Sequence, residues 1–137
     1  MTGIFLKGII FSMQWSIEVS DEFTEWYVAL DEEEIESVTA AIDMLESYGP
    51  SLARPFADTV KGSKYPNMKE LRVQHHGKPY RVLYAFDPRR CAYVILGGNK
   101  TGDALWYVRE IPRADAIFGR HLEEIGGGDD KKLAGGS

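Results

Sequence analysis

The sequence predicts an α+β fold in which helices and an antiparallel meander occupy separate stretches of the chain. Residues 61–100 hold three short alternating runs, 69–74, 80–86 and 91–96, parted by turn signals at Gly77 and at Asp87-Pro88. Ahead of them, Ile35, Val38, Ile42 and Leu45 recur at helical spacing. Behind them, Ala114, Ile117, Phe118, His121, Leu122 and Ile125 form another helical stripe.

Taken in order, residues 1–12 read as an N-terminal extension. They are apolar but too short and interrupted to span a membrane, and the domain is expected to begin at Met13, with an extra strand or a partner-contact arm as the alternative for the residues before it. Residues 14–19 alternate Trp15, Ile17 and Val19 with polar neighbours, as a strand able to join the meander would. Ser20 or Asp21 then caps a short helix to about Leu30, with Phe23, Trp26, Tyr27 and Leu30 on one stripe, read as core. Asp31 caps a second helix, and Glu34 three residues on completes a capping box. Glu32, Glu33 and Glu34 fall in its first turn, where the helix dipole favours negative charge, and Gly49-Pro50 ends it.

Residues 51–69 read as a loop carrying Arg54, Lys61, Lys64 and Lys69. Its Lys61-Gly62-Ser63-Lys64 run is donor-rich and able to close over a phosphate, although surface lysines are common. In the middle strand Tyr80, Val82, Tyr84 and Phe86 share one face, and Arg81, Leu83 and Ala85 the other. Residues 96–102 lack the GxxxxGK[ST] spacing of a nucleotide-triphosphate loop. Their glycines read as a sharp exit from the sheet that leaves Lys100 at its rim. Asp103 is placed to cap a final helical region, which Pro112 either restarts or kinks. Trp106, Tyr107 and Arg109 stand just past the basic rim, to stack on a base or to finish the core. His121 reads as a packed core-edge histidine, and Gly-rich 126–137 as a disordered tail.

Composition bounds the function. A chain of 137 residues with 44% hydrophobic and 27% charged residues is one globular domain with a core. Its net charge of −5 hides an asymmetry. Eleven acidic residues and no Lys or Arg lie between Glu18 and Glu46, whereas thirteen Lys and Arg face six Asp and Glu between Arg54 and Arg120. A basic half is the footprint of a polyanion partner, unless the two halves neutralise each other across the fold. The single Cys91 falls in an expected strand, which rules out an intramolecular disulfide framework and fits a reducing cytoplasm. No metal site emerges, because the three histidines do not fall at ligand spacing with carboxylates and one Cys cannot build a zinc site. No Ser-His-Asp or Cys-His arrangement can be argued either.

The sharpest feature is a pair of arginines. With His76 and Gly77 as the turn, the hairpin register sets Arg72 directly opposite Arg81 on one face. Like charges placed so destabilise a sheet, and two guanidinium groups there suggest a site for an anion such as a phosphate. The alternative is that each arginine pairs with a carboxylate such as Glu70 or Glu110, and the pattern leaves both open.

The segments KGSKYPNMKELR, PYRVLYAFDPRR, ILGGNKTGD and WY…IPRAD, in that order, resemble the HigB branch of the RelE-like toxins, and more narrowly its phage-derived-protein-like addiction-module members. The resemblance runs from about Trp15 to about Leu122, so that 13–125 is the expected toxin domain. It implies a RelE-like fold, a small twisted mainly antiparallel sheet flanked by helices. It implies a cytoplasmic endoribonuclease that cuts mRNA in the ribosomal A site with no metal or other cofactor. A cognate helix-turn-helix antitoxin would neutralise it, and operator DNA would be reached only through that complex. It also implies roles. Arg72 and Arg81 match the sheet arginines that grip the scissile phosphate, and Lys61 and Lys64 match loop lysines, one of which could act as base. Lys100 would stabilise charge or protonate the leaving group. Lys69, Arg54, Tyr107 and Arg109 are the expected further RNA contacts. An obvious strong general base is missing, which leaves open slow intrinsic activity, activation by the ribosome or a degenerate toxin. The competing readings are a non-cleaving RNA- or ribosome-binding module and a regulatory subunit of an operator-binding complex.

Overall fold

A computed structural model describes residues 14–136, with side chains as far as Gly126. The expectations for 1–12 and for Met13 lie outside the described residues. The strands are β1 (Ile17–Val19), β2 (Ala57–Thr59), β3 (Lys69–His75), β4 (Lys78–Phe86) and β5 (Ala92–Asn99), in one sheet of order β1-β5-β4-β3-β2. β1 runs parallel to β5 and the other neighbours are antiparallel. Helices α1 (Asp21–Val28) and α2 (Glu32–Tyr48) pack on one face and α3 (Trp106–Gly136) on the other. The α+β architecture with a mainly antiparallel sheet is the one expected.

Local chemistry explains most of the elements. Asp31 and Glu34 form the capping box of α2, each side chain accepting the other's backbone N–H at 2.7 and 2.9 Å. The β3–β4 hairpin turns on His76 (φ 51°) and Gly77 (φ 77°), the two positive φ values that a tight type I′ turn requires. Apolar residues alternate as the pattern demands. Leu71, Val82, Tyr84 and Val94 meet α1 and α2, while Leu83, Ala85 and Tyr93 meet α3.

Several boundaries differ from the sequence reading. The first strand is only three residues long, and β2 lies inside the stretch expected to be loop. β2 pairs Ala57 with Leu71 and Thr59 with Lys69, too short a run to leave a periodic signal. Gly97 and Gly98 are not an exit from the sheet, because β5 runs on to Asn99. They make room for two indoles instead. A Cβ would lie 2.4 Å from the Trp26 ring at Gly97 and 2.5 Å from Trp106 Nε1 at Gly98. Pro112 lies inside α3 and does not start a separate segment. The α3 backbone also stays helical to Gly136 where a disordered tail was expected, although its glycines disfavour helix by about 1 kcal/mol each relative to alanine. Propensity alone does not account for that extension.

The sheet also carries a bulge. Leu83 pairs with Leu96 but Tyr84 with Val94, so that Ile95 is the extra residue of β5. Ile95 and Leu96 therefore both enter the core beneath α3. Ser20 stabilises the distortion. As N-cap of α1 it accepts the N–H of Phe23 at 2.9 Å, and its hydroxyl donates to the Ile95 carbonyl at 2.5 Å, fully buried. Ser20→Ala is expected to lower the free energy of unfolding by about 1–2 kcal/mol, since both a cap and a buried carbonyl's partner are lost. Urea denaturation of the two proteins checks this.

Opposite charges from the two halves meet at several points. Arg120 forks onto Glu22 at 2.9 and 3.1 Å, and Arg89 reaches Glu18 at 2.9 Å. Cys91 is buried as expected, and burial pushes its thiol pKa up. His121 is also buried as expected, stacked on Tyr93 with centroids 3.6 Å apart and with Nε2 2.9 Å from Asp87 Oδ2. Asp87 closes the β4–β5 turn by accepting the N–H groups of Arg89 and Cys91 at 2.8 and 3.2 Å. Burial pushes its carboxyl up, but the hydrogen bonds from Arg89, His121 and the backbone outweigh this, and the pKa falls below its ordinary 3.8. A carboxyl depressed in the folded state stabilises the fold above its unfolded pKa and loses that contribution as pH falls through the folded value. Stability is therefore expected to decline below about pH 4, and less steeply in Asp87→Asn, a difference that thermal melts between pH 2 and 5 detect.

Candidate functional site

Glu70 and Arg72 on β3 and Arg81 on β4 share the sheet face that α3 covers, because residues two apart on a strand point the same way. Arg72 and Arg81 are direct cross-strand partners, as the hairpin register predicts. They do not confront each other bare. The buried carboxylate of Glu70 lies between them, accepting Arg72 Nε at 3.0 Å and sitting 3.6 Å from Arg81 Nε. Tyr107, in the first turn of α3, completes the arrangement. Its hydroxyl donates to Glu70 Oε1 at 2.6 Å and accepts Arg81 Nε at 3.1 Å. Of the two readings left open by the pattern, the carboxylate partner is realised, and it is Glu70 for both arginines. Glu110 pairs instead with Arg109 and Arg113.

The pair is not equally presented. The Arg72 side chain is 37% exposed and also touches Asp58 at 3.4 Å, whereas Arg81 is 14% exposed and spends one N–H on the Tyr80 carbonyl. Arg72 lines a surface cavity of about 460 Å³ together with Arg54, Lys61, Asp58, Glu70 and Tyr107. Arg54 holds Asp58 at 2.8 Å. Lys100 follows β5 and puts its ammonium 5.6 Å from the centre of the Tyr107 ring. Burial and the Glu70 hydrogen bond push the Tyr107 phenol up, only partly countered by Arg81, so that it holds its proton at neutral pH. The arrangement is a hollow of three cations, a proton-bearing phenol and two carboxylates, the shielded Glu70 and the more accessible Asp58, and its guanidinium and ammonium donors are suited to gripping a phosphodiester.

Six of the nine expected residues thus converge: Arg54, Lys61, Arg72, Arg81, Lys100 and Tyr107. Three do not. Lys69 points to the opposite sheet face, where it lines a hollow with Trp15, Phe86 and Arg90. Lys64 is drawn towards α3, with its N–H on Asp115 at 2.9 Å and its ammonium over the Tyr65 ring. Arg109 lies about 200° around α3 from Tyr107 and is taken up by Asp103 and Glu110. His121, fourteen residues along α3 from Tyr107, is about 21 Å away along the helix axis and plays no part. Glu70 and Asp58 complete the hollow although neither was singled out as a site residue. Glu70 sits two positions from Arg72 on the same face, a readable signal, whereas Asp58 has none.

Two of the three histidines, which show no ligand spacing with carboxylates in the sequence, gather with one in space. Glu33, His75 and His76 bring one ligand atom each within 4.8 Å of one another. Sequence spacing hides this, since α2 and the hairpin tip are some forty residues apart.

Comparison with known proteins is decisive for the family. The phage-derived protein Gp49-like family (DUF891) matches residues 25–118, which is most of the chain. The chain belongs to this family. The matched span of the Gp49-like chain contains the whole hollow, from Arg54 to Tyr107. It is 44% identical over 116 residues to the candidate toxin HigB2 of Mycobacterium tuberculosis, covering 83% of this chain but only 57% of that protein. It is 48% identical over 105 residues to the candidate toxin HigB3 of the same organism, covering 75% of this chain and 90% of that one. A doubly substituted mutant of the Escherichia coli toxin RelE in the free state shares the fold at TM-score 0.50 and 12% identity, over 69% of this chain and 92% of that one. The Gp49-like chain is thus a RelE-type fold of the HigB kind.

In the Gp49-like chain Glu70→Gln is expected to lower stability by about 2 kcal/mol, because Arg81 loses the counter-charge that its buried position needs. Glu70→Leu is expected to lower it further. Equilibrium unfolding of the three proteins tests the order, and equal stabilities would deny Glu70 its bridging role.

Proposed function

We infer that this chain is the toxin of a toxin–antitoxin pair and acts as an endoribonuclease on mRNA in the ribosomal A site. The carrying observation is the hollow in which Arg54, Lys61 and Arg72 stand beside Tyr107, backed by Arg81 and Lys100. The names of its two Mycobacterium tuberculosis relatives support the toxin assignment. The partner is a helix-turn-helix antitoxin, with operator DNA bound only through that complex, and the site of action is the cytoplasm. Among the described residues no helix is long and apolar enough to cross a membrane.

Cleavage by the neighbouring 2′-hydroxyl forms a bond from that oxygen to phosphorus and breaks the bond to the 5′-oxygen. It needs alignment, stabilisation of charge on the phosphoryl oxygens, and a proton for the leaving oxygen. Arg72 is the more exposed guanidinium of the cross-strand pair and Lys61 the ammonium at the same hollow, so these two take the phosphate, with Arg54 beside them at the rim. Arg81 and Glu70 act as positioning residues that fix Arg72 and Tyr107. Tyr107 turns its O–H from Glu70 to the leaving 5′-oxygen and gives it that proton, the proton of the attacking 2′-hydroxyl passes to solvent water, and Lys100 stabilises the phenolate that results. Guanidinium and ammonium groups carry the charge in this scheme, with no metal required.

A second reading, binding without cutting, is favoured by one observation. Among the described residues the one carboxylate touching both arginines is shielded, with its side chain 4% exposed and its oxygens engaged by Arg72, Arg81 and Tyr107. It is poorly placed to take a proton from a 2′-hydroxyl. Induced expression with primer extension on a reporter mRNA separates the two. Translation-dependent cuts are expected with the native chain, and growth arrest without cuts would establish occlusion instead. Arg72→Ala is expected to reduce cleavage by about a hundredfold or more and to melt earlier, since the buried Glu70 carboxylate loses its nearer guanidinium. Arg81→Ala is expected to lose cleavage and to melt earlier as well, since the same carboxylate loses its second counter-charge. Full cleavage by Arg72→Ala would remove it from the site.

A further inference from the structure

We propose that the tip of the β3–β4 hairpin and the first turn of α2 form a site for a divalent transition-metal ion of the zinc type, with His75, His76 and Glu33 as ligands. Two imidazoles and a carboxylate are a donor set that such ions favour, with water free to complete four-coordination. The three ligand atoms already lie within 4.8 Å of one another. Tetrahedral ligands at ordinary zinc distances stand about 3.3 Å apart, so a contraction of about 1.5 Å at most is needed. The two exposed ligands can supply it, since the side chains of His76 and Glu33 are 66% and 71% exposed and now meet at 2.9 Å.

Two further features mark the site as built. Ser37, one turn along α2 from Glu33, holds Nδ1 of the buried His75 ring at 2.8 Å. A hydrogen bond at one ring nitrogen orients an imidazole and leaves the other open to a metal, the usual outer-shell arrangement. The turn itself also contributes. His76 sits at φ 51°, a left-handed conformation that a β-carbon disfavours and that asparagine or glycine takes more readily. That conformation brings two adjacent imidazoles, which a regular strand would send to opposite faces, to a centroid separation of 4.2 Å. Glu32 and Glu34 flank Glu33 and add negative potential, while Glu34 itself is engaged by Tyr80 and the capping box. His75 faces α2, on the side of the sheet away from the arginine hollow, so this site is separate from the RNA-cleaving reading.

The ion would pin the hairpin tip to the helix and stabilise the chain. The test uses the full chain freed of any histidine tag, titrated calorimetrically with Zn²⁺ and spectroscopically with Co²⁺. One equivalent of Zn²⁺ is expected to bind and to raise the melting temperature, and Co²⁺ is expected to give the intense visible bands of a tetrahedral site. His76→Asn, which suits the left-handed turn, and Glu33→Gln, both on exposed side chains, should each weaken binding by about tenfold or more while the apo-proteins melt close to the parent. Ser37→Ala should weaken it less. No stoichiometric binding by the parent, or binding by His76→Asn and Glu33→Gln as tight as the parent's, would overturn the assignment.

Discussion

The shared carboxylate of Glu70 governs the geometry of the whole α3-facing side. Two guanidinium groups placed cross-strand would repel each other and leave a buried arginine without a counter-charge. Glu70 removes both problems, because its two oxygens reach Arg72, Arg81 and the Tyr107 hydroxyl together. The same contacts tie β3, β4 and the start of α3 into one unit. They also divide the labour between the arginines: the more buried Arg81 becomes a strut, and Arg72 is left facing the hollow with donors to spare.

The two faces of the sheet solve a common packing problem by different means. β5 brings glycine to both, and each glycine admits an indole, Trp26 from α1 and Trp106 from α3. Trp106 is buried beside Tyr107, so the space at Gly98 helps to set where the phenol stands relative to Glu70. The bulge at Ile95 and the buried hydroxyl of Ser20 brace the opposite end of the same strand. The agreement in fold with RelE at 12% identity is in keeping with this, since burial pattern and register, more than residue identity, keep such a sheet in place.

Much was legible in the chain. Period-two alternation, the His76-Gly77 turn and the Asp31–Glu34 box are local signals, and they placed β3, β4 and α2 within a few residues. The Arg72–Arg81 register followed from the turn alone. In the loop, composition carries no information about direction. Lys64 and Lys61 stand three residues apart, yet Asp115 draws the backbone at Lys64 towards α3 while Lys61 stays at the hollow. Lys69 carries the right charge for the hollow but shares its strand parity with Leu71 and Val73, which puts it on the α2 side.

The sequence by itself determined the class of fold, the helix caps, the hairpin register and the presence of a basic half, because each depends on periodicity or on contacts a few residues apart. Only the tertiary structure decided which cations share a hollow, which carboxylate holds them, and that Glu33 meets His75 and His76. Those choices are made between segments tens of residues apart, by the way α2 and α3 settle on opposite faces of one sheet. Such distances in space leave no trace in local spacing.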